Sequence, residues 1–223
     1  MKISVLQFPG TNCEYDTQYA FEKLGAEVEI IWHKEKSIPA DTDLLVIPGG
    51  FSYGDYLRSG AIARFANIME SVQAYAAKGG KVLGICNGFQ ILLEAGLLPG
   101  AMKRNDSLHF ISKYNNLKVI DNDNAFLSLL KKDEVVNIPV AHHDGNYFID
   151  EKGFNELEAN GQVLLKYCDE EGTTTNINGS VANIAGICNK EKNVFGLMPH
   201  PERAIEKLLG CDDGVRMLKG FLQ

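Results

Sequence analysis

The run Lys81-Val82-Leu83-Gly84-Ile85-Cys86-Asn87-Gly88-Phe89-Gln90 restricts the fold of this chain more than any other stretch. An apolar, β-competent segment enters Gly84-Ile85-Cys86-Asn87-Gly88, and Phe89, Ile91, Leu92 and Leu93 continue at helical spacing up to Gly96. Glycines on either side of a nucleophile-type residue, between a buried strand and a helix, spell a sharp strand-to-helix elbow. Such a turn lifts the cysteine off the sheet and seats it at a helix N-terminus, where free N–H groups and the helix dipole favour the thiolate. The chain carries its own control, because Gly186-Ile187-Cys188-Asn189 repeats the tetrapeptide. Lys190-Glu191-Lys192-Asn193 follows there, with no second glycine and no apolar helix. Cys188 therefore reads as a buried strand-end cysteine, and Cys86 as a nucleophile.

The surrounding pattern agrees with an α/β sheet. Strands are expected over residues 2–8, 27–32, 43–47 and 81–85, alternating with helices over 14–24 and 62–76. Alternation of this kind implies a doubly wound, mostly parallel central sheet flanked by helices, with ligands bound beyond the carboxyl ends of the strands. Pro9-Gly10-Thr11-Asn12 and Pro48-Gly49-Gly50-Phe51 fall at that edge beside the elbow. From about residue 105 to 193 the pattern changes to short β-rich pieces (117–120, 135–140, 163–167 and 182–188) between polar turns. These read as an antiparallel β addition with edge hairpins on the main sheet. An apolar strand over 194–198 and helical pieces over 214–222 complete the chain. With 223 residues and no repeat or linker, one domain spanning 1–223 is expected.

Bulk properties exclude several classes. The net charge is −7 with no basic cluster, so no nucleic-acid partner is expected. No apolar run approaches the ~20 residues that cross a bilayer, so no membrane partner is expected. The chain opens into a strand rather than a signal peptide, and its five cysteines are widely spaced without a C-x-x-C pair. A cytoplasmic location is the expectation.

The stretch Met198-Pro199-His200-Pro201-Glu202 offers Cys86 a base and an orienting acid. Pre-proline geometry is extended, and residues at i and i+2 of an extended segment share a side, so the imidazole and carboxylate are expected side by side. Glu202 would fix the tautomer of His200 and favour its protonated form, completing a nucleophile–base–orienter set. Acyl chemistry also needs oxyanion donors. The Asn87 N–H, directly after the nucleophile, and the flexible Gly49-Gly50 turn are the candidates. No metal is expected: the pair His142-His143 has no third ligand close by in sequence.

Four stretches carry a resemblance across nearly the whole chain: Phe8-Pro9-Gly10-Thr11-Asn12-Cys13, the run from Pro48-Gly49-Gly50-Phe51 through Tyr56-Leu57-Arg58, the elbow from Gly84 to Gln90, and Met198-Pro199-His200-Pro201-Glu202-Arg203. They resemble the class I (triad) glutamine amidotransferases, and within them the stand-alone glutaminase subunits of de novo purine biosynthesis. The resemblance implies that Cys86 attacks the carboxamide of L-glutamine, forming a glutamyl thioester and freeing ammonia. It further implies substrate contacts by Gln90, Gly49, Ser107 and His142, and an oxyanion hole from Gly50 and Asn87. Where the family shows H-G-E-G-R-Y, this chain has His142-His143-Asp144-Gly145-Asn146-Tyr147, so no contact is carried onto His143 or Asp144.

No G-x-x-x-x-G-K-[ST] phosphate loop is present, so no cofactor is expected in this chain. The resemblance implies that ATP and Mg belong to a partner: a large ATP-dependent synthetase subunit that converts formylglycinamide ribonucleotide to formylglycinamidine ribonucleotide. A small third subunit is expected in the assembly, and the 51–58 loop is expected to sense the docked synthetase. Two rival readings stay open here. One is another class I amidotransferase or γ-glutamyl hydrolase; the other is a redox-sensing protein using Cys86 as a reactive thiol, which would need neither His200-Pro201-Glu202 nor Gln90.

Overall fold

Runs such as Leu44-Leu45-Val46-Ile47 contain no polar residue, and a strand of that kind must be covered on both faces. In the computed structural model, which describes residues 1–223, all four of these side chains are buried. The chain runs through β1 (Lys2–Gln7), α1 (Glu14–Lys23), β2 (Glu27–Trp32), β3 (Leu44–Ile47), α2 (Ile68–Ala77), β4 (Lys81–Ile85) and α3 (Asn87–Glu94). It continues with β5 (Ala101–Lys103), β6 (Ile111–Val119), β7 (Val135–His142), β8 (Asn146–Phe148), α4 (Glu151–Ala159), β9 (Val163–Cys168), β10 (Ile184–Cys188), β11 (Val194–Leu197) and α5 (Gly214–Lys219).

Nine strands form one mixed sheet in the order β2-β1-β3-β4-β11-β10-β9-β6-β7. Pairing is parallel from β2 across to β11 and antiparallel from there to the β7 edge. The expected antiparallel addition therefore extends the main sheet itself, with β5 and β8 as a separate small ribbon. One continuous hydrophobic core runs beneath both halves. Pro139 is tolerated in β7 because that strand is the edge of the sheet. The parallel half places the turns after β1, β3, β4 and β11 at one end, which is where the candidate site lies.

Three local expectations are corrected. The helix read over 62–76 begins only at Ile68, because a 3-10 turn over Ala63–Phe65 ends at Ala66 in extended backbone (ψ 146°). Gly60 pins this stretch against α3: a Cβ there would stand 2.8 Å from the Gln90 carbonyl carbon. Phe65 is left exposed rather than facing inward. Helix α4 went unread, although Asp150 caps it by accepting the Gly153 N–H at 2.8 Å. Strand β6 is longer than the four residues expected, because it pairs with the edge strand β7 over Ile111–Lys118, well before its pairing with β9 begins at Asn116.

Candidate active site

The two elbow glycines are required by packing. A Cβ on Gly88 would lie 1.8 Å from the Ile47 carbonyl oxygen, and one on Gly84 would lie 2.7 Å from the Gly88 carbonyl carbon. Helix α3 thus presses onto β3 and β4 at van der Waals limits, and the chain between them turns sharply. Cys86 takes up the turn at φ 50°, ψ −105°, a conformation that L-residues avoid and that persists only where the surroundings enforce it. Its N–H is held by the Leu197 carbonyl at 2.7 Å, and its sulfur stands 3.6 Å from the Ala141 carbonyl oxygen. Cys188, by contrast, ends β10 inside the core, where burial pushes its thiol up to about 12.

His200 and Glu202 meet, but not as an extended pair. His200 keeps non-helical backbone (φ −110°, ψ 81°), and Pro201 then opens a 3-10 turn over Pro201–Arg203. Proline suits a first helical position, and the turn is clamped from outside: a Cβ on Gly214 would lie 2.1 Å from the Pro201 carbonyl oxygen. The turn folds Glu202 back so that Oε1 accepts from His200 Nδ1 at 2.6 Å, with both side chains buried. Burial alone would lower the His200 pKa, but the Glu202 carboxylate and the nearby Cys86 and Cys13 sulfurs outweigh it and hold the pKa well above the usual imidazole range. Nε2 has no protein partner. Gly49 lies where these residues converge, since a Cβ there would stand 2.8 Å from His200 Cε1 and 3.5 Å from Cys86 Cβ. Neither the Gly50 nor the Asn87 N–H donates to any protein acceptor, the state an oxyanion donor needs before substrate arrives.

A cavity of about 410 Å³ opens over Cys86, lined by Gly50, Gln90 and His142 among others. That volume lies within the range of small-molecule sites. The Gln90 amide is fixed at both ends: Asn87 Nδ2 donates to its Oε1 at 2.8 Å, and its Nε2 donates to the Asp144 carbonyl at 2.6 Å. Asn87 Oδ1 in turn accepts the Ser52 N–H at 3.0 Å, tying the 51–58 loop to the elbow. Arg58 adds a two-pronged bond to Glu94 on α3 at 2.5 and 2.7 Å.

His142 is a neutral imidazole. Asn105 Nδ2 donates to the His109 and His142 carbonyls, which leaves its Oδ1 to accept from His142 Nδ1 at 3.1 Å. Burial, followed by the positive charge of His200, lowers the His142 pKa to about 4. Ser107, expected beside the substrate, instead lies exposed on a turn, bonded to its neighbour's His109 N–H, and does not line the cavity. The site also contains residues that the sequence reading passed over. Asp55 and Asp144 both line the cavity, and burial together with the Asp144 charge pushes Asp55 up to about 6. Their only sequence signal was membership in the 51–58 and 142–147 loops. No helix is long and apolar enough to cross a membrane.

A nucleophile at a strained elbow, beside a buried imidazole–carboxylate pair and unpaired N–H groups, is the equipment of covalent acyl transfer. Residues 1–210 match the family described as CobB/CobQ-like glutamine amidotransferase domain, and the chain belongs to that family. Within it, the chain is 69% identical over 223 residues to phosphoribosylformylglycinamidine synthase subunit PurQ of Sulfurimonas denitrificans, covering 100% of both chains. The corresponding subunit of Wolinella succinogenes is 63% identical over 221 residues, covering 99% of both. Among solved structures, a chain of PurLQS from Thermotoga maritima superposes with a TM-score of 0.89 at 41% identity, covering 99% of this chain and 97% of that one.

Proposed function

We propose that this chain is the glutaminase subunit of a phosphoribosylformylglycinamidine synthase. It hydrolyses L-glutamine to glutamate and delivers the ammonia to a separate, large ATP-dependent synthetase subunit. That partner converts formylglycinamide ribonucleotide to formylglycinamidine ribonucleotide, and a small third subunit completes the assembly. The observation that carries the reading is the meeting of Cys86 and His200 at Gly49, with Glu202 bonded to His200, in a chain that matches such subunits from end to end. A redox-sensing role leaves the His200–Glu202 pair and the doubly fixed Gln90 amide without a purpose.

In this mechanism Cys86 has already yielded its proton to His200, whose raised pKa holds it there, and the sulfur attacks the substrate's side-chain carbonyl carbon. The N–H groups of Gly50 and Asn87 receive the charge that develops on oxygen, an interaction worth about 3–4 kcal/mol per donor. His200 returns the proton to the departing nitrogen, the C–N bond breaks, and ammonia leaves a glutamyl thioester on Cys86. Water, deprotonated by the same imidazole, then cleaves the thioester to glutamate and frees the thiol. Glu202 stabilises the imidazolium in both halves of the cycle. Gln90 and His142 line the pocket for the amino-acid end of the substrate. No cofactor is assigned to this chain, and ATP and Mg act in the synthetase; the assembly is placed in the cytoplasm.

Glutamate release by the purified chain, alone and with its synthetase and small subunit, tests the proposal. Hydrolysis is expected to rise when the partners are present, with formylglycinamidine ribonucleotide formed from glutamine. A complex that makes this product from ammonium salts but never from glutamine would overturn the assignment.

A further inference from the structure

Cys13 occupies the N-cap of α1, where Ser, Thr, Asp or Asn would turn an oxygen onto the first helical N–H groups. It makes no capping bond. Its sulfur lies instead against the His200–Glu202 pair. Cys13 Sγ, an imidazole nitrogen of His200 and a carboxylate oxygen of Glu202 all lie within 4.8 Å of one another, and all three residues are buried. Glu202 Oε2 has no partner in the protein, and its Oε1 meets His200 on the Nδ1 edge of the ring, the edge an ion shared with the carboxylate must use. Gly49 forms one wall, with a virtual Cβ 3.0 Å from the Cys13 sulfur and 3.5 Å from Cys86 Cβ.

We propose that Cys13, His200 and Glu202 form a binding site for zinc, and that an ion seated there switches the amidotransferase off. One sulfur, one imidazole nitrogen and one carboxylate oxygen are a donor set for zinc or cobalt; magnesium and calcium take oxygen ligands instead. Zinc bonds of about 2.0–2.3 Å place neighbouring donors roughly 3–4 Å apart, so the 2.6 Å bond between His200 Nδ1 and Glu202 must open as the cluster closes on an ion. A thiolate and a carboxylate neutralise its two charges. Water supplies the fourth corner. Two contacts oppose binding: the Cys13 thiol donates to Asn12 Oδ1 at 3.1 Å, and Arg203 Nη2 donates to the Cys13 sulfur at 3.0 Å and must release it. Its Nε keeps Asp16 at 3.1 Å, so the guanidinium retains a partner.

The expected absence of a metal rested on the pair His142-His143, which lacks a third donor. The fold gathers a different trio from opposite ends of the chain. The inhibitory consequence rests on the amidotransferase reading, but metal binding does not, and the two are measured separately.

Cobalt(II) titration of Cys86→Ser protein, in which the competing thiol is gone, is expected to give a thiolate-to-cobalt charge-transfer band. Adding Cys13→Ser, or Cys13→Ala should the serine variant fold poorly, is expected to abolish the band. In the assembled complex, zinc is expected to inhibit glutamine hydrolysis reversibly, with a chelator restoring the rate. Relative to its own zinc-free rate, the Cys13→Ser complex is expected to need at least about tenfold more zinc for half-inhibition. A band that survives loss of Cys13, no band in Cys86→Ser protein, or equal zinc sensitivity in the Cys13 variant each overturns the proposal. The last of these would place the ion on Cys86 alone.

Discussion

Gly49→Ala isolates the geometry on which the proposed chemistry depends. Gly49 has no left-handed backbone, so the substitution adds a methyl group without backbone strain. That methyl would stand 2.8 Å from His200 Cε1, 3.0 Å from Cys13 Sγ and 3.5 Å from Cys86 Cβ. Carbon–carbon contact is comfortable at about 3.5 Å, so the imidazole must retreat by about 0.7 Å. It cannot do so without cost, because Nδ1 is bonded to Glu202 at 2.6 Å and the backbone N–H to the Pro139 carbonyl at 2.8 Å. A misplacement near 1 Å is worth about a hundredfold in rate, so kcat for glutamine hydrolysis should fall roughly 30- to 100-fold. KM should hold, since Gln90 and His142 are untouched. Overpacking should cost about 1–3 kcal/mol, read as a Tm lower by roughly 2–10 °C. Steady-state glutamate release with the synthetase present, together with a melt of the isolated chain, measures both. A variant with kcat within about threefold of wild type, well under 1 kcal/mol of barrier, would refute the convergence of these side chains on Gly49.

Replacing Cys86 with alanine should abolish glutamine use while the assembled complex continues to aminate its substrate from ammonium salts; loss of both activities would make Cys86 structural. Glu202→Gln preserves shape but removes the charge that keeps the buried His200 protonated. It should lower kcat by about 10²- to 10⁴-fold and displace the pH–rate profile, and an unmoved profile would exclude the orienting role. His142 titrates near 4 when folded and near 6.5 when unfolded, so the native state binds fewer protons between those values. Its contribution is present above about pH 6.5 and is lost as pH falls toward 4, about 3 kcal/mol over the full span. Urea melts at both ends of that window should show a shallower acid loss in His142→Asn. His200 runs the other way: its contribution is complete below about pH 6.5 and fades as pH rises through its raised native pKa. Arg58→Ala cuts the tie from the 51–58 loop to Glu94 and should reduce synthetase-stimulated hydrolysis more than the basal rate; equal losses would show a loop that only packs.

What could be read from the sequence was what each residue's own element dictates. Apolar runs such as Leu44-Leu45-Val46-Ile47 announce doubly covered strands, and Gly84 and Gly88 announce the elbow because any side chain there would enter the backbone of β3 or α3. The same logic separated Cys86 from Cys188, whose tetrapeptides are identical but whose continuations are a helix and a polar turn. Legibility stopped where a contact is made from elsewhere in the chain. The His200–Glu202 pair was expected from extended geometry, yet it is assembled by a turn that α5 clamps through Gly214. Ser107 had the right neighbourhood in sequence, but its turn faces solvent while Asn105, two residues earlier, points inward to fix His142. Cys13 is the sharpest case. Its position at the start of α1 says only that it is a poor cap, and nothing local reveals that β1 and β11, with two strands between them in the sheet, deliver its sulfur to the His200 imidazole. Periodicity and turn chemistry therefore recover the scaffold and the elbow that carries Cys86, whereas the electrostatic surroundings of Cys86 come from sheet order, which no single stretch encodes.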